Sequence, residues 1–584
     1  MPNSPSDLSP RALLAIAAAT APSLLAYNVS PSPTFLNQAL ALALWGGFVI
    51  AAAPGSGRAS RGAGPLLAAL ALLLAAVLWS WGPGALPMGL ALSAVGLLLA
   101  AAVLVASGAG AHARPDAAQA FGDFCLAWVV AGVLNVGIAA VQVFAPGWTD
   151  GDWLATSGIP GRAVGNLRQP NHLSSLLLWS AIAVVALLEL RRLSRGWAVA
   201  LFAAMVFAVV LTASRTGTVS VVLLALWGLA DRRLARPTRA LLLAAPVVYA
   251  VAWFGMAEWA QLTQAAFGGA ARLAESDVSG SRFGIWANTL ALIRQHPWGG
   301  VGFGEFNFAW SLTPFPGRPT AFFDHTHNLP LQLAVELGLP LAALVLGLLL
   351  WALARAALAA WRDGGDTGTG RRCATVMVVM IGLHSLLEYP LWYSYFLLPA
   401  AWAWAFALGR SDGIAARGAS PPARSFVAAG AALVLGAVLA VADYRSVAAI
   451  FSASTVPLAE RIADGQRSVL FAHHADYAAA TTAPDDAPAD LQPFERATHY
   501  LLDTRLMMAW ARALAQQGDL DAARAVAARL REFRNPGARD FFAPCAAAGA
   551  ASAPTPAPEV AASAAPFQCA PPGHTPDWRE FQRP

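Results

Sequence analysis

The sequence predicts an all-α polytopic membrane protein: about thirteen transmembrane helices, a large loop on one side of the bilayer and a soluble helical region after the last span. Three observations carry that prediction. Charged residues make up 12% of the 584 positions, too few to coat a soluble protein of this length. Mean hydropathy is +0.53, and several apolar runs exceed the roughly 18 residues taken as a spanning helix. The arginines, finally, recur in every second gap between those runs, as expected where one face of a membrane retains positive charge.

Apolar runs bounded by turn and charge signals place the spans near residues 12–27, 35–53, 65–81, 86–107, 121–145, 172–190, 196–213, 217–230, 239–257, 329–359, 373–388, 391–409 and 425–443. The first run is followed by further spans and lacks a clear small-residue cleavage site, so it reads as a membrane segment rather than a cleavable signal. Arg58 and Arg61, Arg114, Arg191, Arg192 and Arg195, Arg232, Arg233, Arg236 and Arg239, Arg362, Arg371 and Arg372, and Arg410, Arg417 and Arg424 share one face, read as the cytoplasm. The far face carries the turn 28–34, the loop 146–171, the turn 214–216, the long loop 258–328 and the chain after about Val441. The domains expected are a membrane domain over 1–443, with far-side loops 146–171 and 258–328, a helical region over 444–545, and a tail over 546–584 whose Ala/Pro/Ser-rich stretch predicts disorder. Within the helical region, MMAWARALAQQGDLDAARAVAARLREF reads as a tetratricopeptide-like hairpin, turning at Gly518, with Trp510, Ala522, Ala523 and Ala527 on its packing face. One such hairpin cannot stand alone, so it is expected to pack on neighbouring helices or on the membrane domain.

The formal net charge of +5 does not point to nucleic acid, because sixteen of the positive side chains lie in the short loops on one face between spans. All 38 of them are arginine, which excludes lysine Schiff-base chemistry. Cys125 and Cys373 fall in apolar segments, Cys545 and Cys569 in the tail, and no CxxC or Cys/His metal spacing occurs. In an oxidising compartment the tail pair could form a disulfide.

Candidate functional residues concentrate on the far side. FDHTHNLPLQLAVELGLP (323–340) sets Asp324, His325, His327 and Asn328 just before an apolar run. An ionisable cluster at a membrane boundary is a functional candidate, whereas Thr326 or Asn328 could equally serve as a helix cap. GIPGRAVGNLRQPNHLSSLLLW (158–179) crowds Arg162, Asn166, Arg168, Gln169, Asn171 and His172 at the mouth of the next span. Pro170 stops the helix from starting earlier and Asn171 is a reasonable cap, so this is either a capped helix or a polar rim for sugar hydroxyls or phosphate. Asp150 and Asp152 spell an Asp-x-Asp, which can bind a divalent metal but here sits in an interfacial turn between Trp148 and Trp153.

Arg215 lies on the face otherwise poor in arginine, where it either snorkels to the interface or meets an anion. Arg282 falls in SGSRFGIWANTLALIRQHPW, whose Phe283, Trp286, Leu290 and Ile293 recur at helical spacing. Capping by Ser279 or Ser281 would put Arg282 in the first turn, where the dipole disfavours a cation by roughly 0.3–1 kcal/mol and a bound anion would remove the conflict. Gly299, Gly300, Gly302 and Gly304 lack a following Lys-Ser/Thr and so read as a tight turn rather than a phosphate loop. In LHSLLEYPLWYSYFLL (383–398), His384 and Glu388 share a helical face, and Tyr389 and Tyr393 follow across Pro390. Two arginines, a polar rim and histidines at one membrane face suit a lipid-linked pyrophosphate, its head clamped by Arg215 and Arg282 and its tail among the spans.

GRAVGNLRQPNH (161–172), SRTG (214–217), SRFGIW through HPWGGVGFGEF (281–306), HTHNLPLQLAVELGLP (325–340) and HSLLEYPLWYSYF (384–396) together resemble the O-antigen ligase and polymerase superfamily, with a GT-C-like membrane fold. Within it they look most like bacterial O-linked oligosaccharyltransferases of the pilin glycosylation ligase type. The resemblance covers roughly residues 120–410. It implies transfer of a glycan en bloc from undecaprenyl pyrophosphate to a serine or threonine of a periplasmic protein such as pilin, with inversion and without metal or cofactor. The inner membrane, a periplasmic active site and a periplasmic C-terminus follow from the same resemblance.

Carried over by position, His327 is the general base, Arg215 and Arg282 hold the pyrophosphate, and Gln169 and either Tyr389 or Tyr393 match residues of the branch. Arg162, Arg168, His172, His325, Asn328 and Glu388 complete the expected substrate-binding set. Leu341 departs from the ligase pattern, where a small residue or tyrosine is usual. An imidazole, which in a model compound titrates near pH 6.5, can activate a hydroxyl, contributing about 10²–10⁴-fold. The alternatives are an O-antigen ligase acting on lipid A-core, a Wzy-like O-antigen polymerase and, from another class, a transporter or flippase for a lipid-linked sugar. An inverted repeat would favour the transporter, and none is evident.

Overall fold

The computed structural model describes residues 8–52, 62–270, 278–410, 423–484, 488–551 and 566–582. The loop arginines Arg58, Arg61 and Arg417 lie outside them. A helix occupies each of the thirteen stretches expected to span, and no strand occurs among the described residues. In chain order these are α1 (Pro10–Leu24), α2 (Phe35–Ala52), α3 (Gly64–Trp81), α4 (Met88–His112), α5 (Ala117–Phe144), α6 (Pro170–Glu189), α7 (Arg195–Thr212), α8 (Arg215–Ala230) and α9 (Arg236–Thr263). The long loop holds α10 (Val278–Gln295) and α11 (Phe306–Leu312), and α12 (Leu329–Arg362), α13 (Gly365–Ser385), α14 (Ser394–Leu408) and α15 (Arg424–Ala448) complete the apolar set. Beyond it lie α16 (Leu458–Gly465), α17 (Ala472–Thr482), α18 (Phe494–Tyr500), α19 (Thr504–Gln516), α20 (Leu520–Phe533) and α21 (Arg539–Ala551). Among the described residues nine helices are long and apolar enough to cross a membrane, and α8 and α14 are shorter apolar helices. The protein is therefore all-helical and multi-pass.

The chain divides into two compact units, with divisions falling inside α3, α4, α12 and α15. The first comprises residues 1–72, 96–276 and 344–441 and is a helix bundle around α6, whose side chains are buried almost throughout. A helix apolar on every side belongs in the middle of a bundle, and Leu177, Trp179, Ile182 and Val185 are all within 1% of complete burial. At one end of this unit the arginine loops meet acids. Arg11 pairs with Asp116 and Asp123 at 2.7 and 2.8 Å, Arg192 with Asp123 at 3.0 Å, Arg371 with Asp363 at 2.8 Å and Arg372 with Asp231 at 3.1 Å. At the other end the α1–α2, α5–α6 and α7–α8 connections meet: Asn166 donates to Leu24 O at 2.6 Å, and Ala163 N to Leu211 O at 2.9 Å.

The second unit comprises residues 73–95, 277–343 and 442–584. The long loop, assigned by sequence to the membrane domain, here shares one core with the helices after the last span. Phe306, Phe308 and Trp310 pack with Leu502, Leu506, Met507, Leu530 and Phe533, and the fully buried Arg318 stacks 4.4 Å from the Phe533 ring while pairing with Glu532 at 3.0 Å. The segment around Gly518 does form a helical hairpin, α19 and α20, and Asp519 caps the second arm through Ala522 N at 3.0 Å. Of the tail expected to carry no fixed structure, residues 566–582 instead pack. Cys545 and Cys569 are joined by a disulfide, and Trp578, 3% exposed, enters the same core as Phe308.

Candidate functional site

The motifs gather into two knots, one in each unit. In the bundle, Gln169 Oε1 accepts from the backbone amides of Asn171 and His172. Gln169 rather than Asn171 therefore caps α6, with Pro170 in the first helical position, where no amide is needed. The Asn171 side chain is left to reach in two directions. Its Nδ2 donates to Glu388 Oε1 at 3.1 Å, and its Oδ1 accepts from Ser214 Oγ at 2.6 Å. Ser214 Oγ in turn accepts from Gly217 N at 3.0 Å and caps α8, whose first residue is Arg215. Position 217 has to be glycine because a Cβ there would lie 2.9 Å from Val209 and 3.2 Å from Ser174.

Arg215 is exposed and has no side-chain partner among the described residues. It thus presents a cation beside the free amides of a helix start, an arrangement suited to an anion. The other two arginines of the expected rim serve the backbone: buried Arg162 donates through Nε to Thr212 O at 2.7 Å, and Arg168 reaches Ala26 O and Gly151 O, both at 2.9 Å. Asp150 accepts from the amides of Asp152, Trp153 and Leu154 through a single oxygen, which fixes the interfacial turn.

His172 pairs through Nδ1 with Tyr395 Oη at 3.1 Å and packs edge-on against Tyr393 with centroids 4.6 Å apart. Tyr389 stacks behind Tyr393 at 6.0 Å. Of Tyr389 and Tyr393, it is Tyr393 that packs against His172. Glu388 stands just past the end of α13, with its amide bonded to His384 O at 2.9 Å, while His384 Nδ1 meets Ser175 Oγ at 2.7 Å. Sequence reasoning did not single out Tyr395, Ser175 or Ser214, and it took Asn171 for a cap. The available signal was the unusual density of hydroxyls and amides at the ends of apolar runs.

The second knot closes mainly through backbone. Val301 N donates to Val335 O at 2.8 Å, Gly302 N to Glu336 O at 3.0 Å and Leu339 N to Pro297 O at 2.7 Å. The glycine run is thus a turn laid against a break in α12 at Gly338, whose φ of 75° and ψ of 163° interrupt the helix. A Cβ at Gly338 would lie 2.2 Å from Trp298 O. The 34-residue α12 would be about 50 Å long if continuous, well beyond a hydrocarbon core of about 30 Å. The break divides the helix, and the part before it, from Leu329, belongs to the knot.

The histidines lie in the loop that leads into it. Thr326 is held by Gln332 Oε1, 2.7 Å from its amide, and by Trp286 Nε1, which donates to its carbonyl at 2.9 Å. Asn328 Oδ1 accepts from Leu331 N at 3.0 Å and caps α12, so the stretch contains a cap as well as an ionisable cluster. His327 adopts φ 55°, a left-handed conformation uncommon outside glycine, with its ring edge-on to Phe323 at 5.5 Å. His325 Nδ1 lies 3.2 Å from Asp324 Oδ2. Burial pushes the Asp324 carboxyl up, but His325, through charge and a hydrogen bond, and His327, through charge, outweigh it and hold the group below the ordinary carboxylate range.

Arg282 is half-buried in α10. That helix begins at Val278, ahead of the serines expected to cap it, so Arg282 sits in the second turn and loses the proposed proximity to free amides. The side chains of Ser279 and Ser281 lie outside the described residues.

A multi-pass helical protein with hydrogen-bonding, cationic and imidazole groups concentrated in two knots near the ends of its apolar helices fits the class of membrane enzymes. Comparison with known proteins bears out the more particular resemblance. Residues 200–346 match the O-antigen ligase family, residues 163–188 the protein glycosylation ligase family and residues 373–539 the C-terminal part of a membrane-bound polymerase described as a virulence factor. Two proteins of Acinetobacter baylyi are similar: a general O-oligosaccharyltransferase, 29% identical over 42% of this chain and 45% of its own length, and a ComP-specific O-oligosaccharyltransferase, 26% identical over 42% of this chain and 44% of its own. The matched part of the chain thus spans less than half the length of these relatives. The glycosylation-ligase match falls across Gln169, Asn171 and His172, and the O-antigen ligase match takes in Arg215, Arg282 and His327.

Proposed function

We propose that this protein is an inverting, metal-independent oligosaccharyltransferase that moves a glycan from undecaprenyl pyrophosphate to serine or threonine hydroxyls of a periplasmic protein such as pilin. It acts in the bacterial inner membrane through thirteen spans, with its active site and its tetratricopeptide-like C-terminal region in the periplasm. The observation that carries the reading is Arg215: an exposed cation at a capped helix start, inside the segment similar to O-antigen ligases.

The chemistry balances with the chain's own residues. The acceptor oxygen attacks the anomeric carbon, the bond from that carbon to the phosphate oxygen breaks, and the electron pair leaves with the pyrophosphate. His327 takes the hydroxyl proton. Arg215 and Arg282 stabilise the charge gathering on the phosphates, a preorganised electrostatic contribution. Gln169, His172, Glu388, Tyr389 and Tyr393, with Arg162, Arg168, His325 and Asn328, make up the substrate-binding set of this reading.

A second reading, transfer to lipid A-core or chain polymerisation, is favoured by the matches to O-antigen ligase and to the polymerase C-terminal part. Proteoliposomes holding the full chain and an undecaprenyl-pyrophosphate glycan separate them. Glycan is expected on a pilin-like acceptor and not on lipid A-core. Transfer to lipid A-core alone, or extension of the donor glycan, would establish the second reading, and lipid movement without transfer would sink both.

A further inference from the structure

We propose that Asn171 is the positioning residue that aims Arg215 at the donor's pyrophosphate, acting through Ser214; this rests on the reading of Arg215 given above. The path is short and buried. Asn171 is 8% exposed and Ser214 fully buried, and the bonds run from Glu388 Oε1 to Asn171 Nδ2 (3.1 Å), from Asn171 Oδ1 to Ser214 Oγ (2.6 Å) and from Ser214 Oγ to Gly217 N (3.0 Å). With both ends of its amide engaged, Asn171 fixes the rotation of Ser214. Ser214 must donate and accept at once, and in doing so it sets the first turn of the helix that begins with Arg215.

The turn that delivers this helix is itself strained. Ala213 sits at φ 48°, a conformation that persists only where the surroundings over-determine it. They do so here: Arg162 Nε binds Thr212 O at 2.7 Å, Ala163 N binds Leu211 O at 2.9 Å and Ser214 N binds Thr212 Oγ1 at 3.2 Å. Held from three directions, the turn fixes the direction in which the exposed arginine leaves it. Aspartate at position 171 would set a second carboxylate against Glu388 and lose the donor, whereas alanine loses both bonds.

The test is steady-state glycan transfer by the full chain in nanodiscs, with undecaprenyl-pyrophosphate glycan and a pilin-like acceptor, for wild type, Asn171→Ala, Arg215→Ala and the double variant. Asn171→Ala is expected to raise the donor KM about tenfold, the worth of one buried hydrogen bond, with the acceptor KM unchanged and the double variant no worse than Arg215→Ala alone. A merely structural role would lower the active fraction without moving the donor KM. Ser214→Ala breaks the same path from its other side and decides the matter if Asn171→Ala does not fold. Multiplicative losses in the double variant, or an unchanged donor KM in both path variants while Arg215→Ala is impaired, would overturn the positioning role alone. An unchanged donor KM in Arg215→Ala would overturn the pyrophosphate reading and the inference with it.

Discussion

The two knots are built by opposite means. In the bundle, four side chains close the knot: Gln169, Asn171, Ser214 and Glu388, all joined through hydrogen bonds and all contributed by helix ends. In the second unit the closure is backbone to backbone, between the glycine run and the break at Gly338, and the side chain of interest rides on it at a left-handed residue, His327. The difference teaches what each region can tolerate. A side-chain knot can lose one member and leave the chain path intact, so its variants should alter aim and affinity. A backbone knot has no spare conformation at Gly338, so its variants should alter folding.

The largest effect expected from breaking this contrast is on chemistry in the bundle. Arg215→Ala should lower the transfer rate by about 10²–10³-fold, the usual loss when one preorganised charge-stabilising group is removed, while the thermal midpoint in detergent stays within a few degrees. A large fall in that midpoint would show that Arg215 holds the fold instead. Next, Gly338→Ala should destabilise the second unit by about 1–3 kcal/mol, from positive φ and from the Cβ meeting Trp298 O, and should appear as increased protease sensitivity of residues after Val441. Unaltered proteolysis would mean that the pairing across the break is dispensable.

A separate effect concerns acid. Burial pushes His474 down to about 4, and burial, His474 and then Arg496 push His473 well below the usual imidazole range. Between about pH 6.5 and 4 the unfolded chain binds protons that the folded chain does not, so stability falls as pH falls through that window, by up to about 1.4 kcal/mol per pH unit for each imidazole. Melting of the protein across that range checks it, and a midpoint independent of pH would contradict it. The smallest effect expected is none: transfer should persist undiminished in excess chelator, and its abolition would return attention to Asp150 and Asp152.

Much of the helix order was legible, because an apolar run of bilayer length leaves few alternatives. What the sequence hid was pairing between distant positions. Asn171 and Ser214 are 43 residues apart and Asn171 and Glu388 are 217 apart, so nothing local distinguishes a hub from a cap. The break in α12 was hidden because hydropathy records composition and not ψ, and the run from Leu329 onward is apolar on both sides of Gly338. Trp578 was lost behind an Ala/Pro/Ser-rich stretch that made the whole tail look unstructured. For the histidines, adjacency made His325 and His327 look alike, whereas the fold gives His325 to Asp324 and sets His327 apart by its backbone.

The most direct test of the central claim is transfer by His327→Ala in the same proteoliposomes, with donor binding measured alongside. The account predicts that transfer to the pilin-like acceptor falls by about 10²–10⁴-fold, as expected when a general base is lost, while donor affinity is retained. Full glycan transfer by His327→Ala would contradict it.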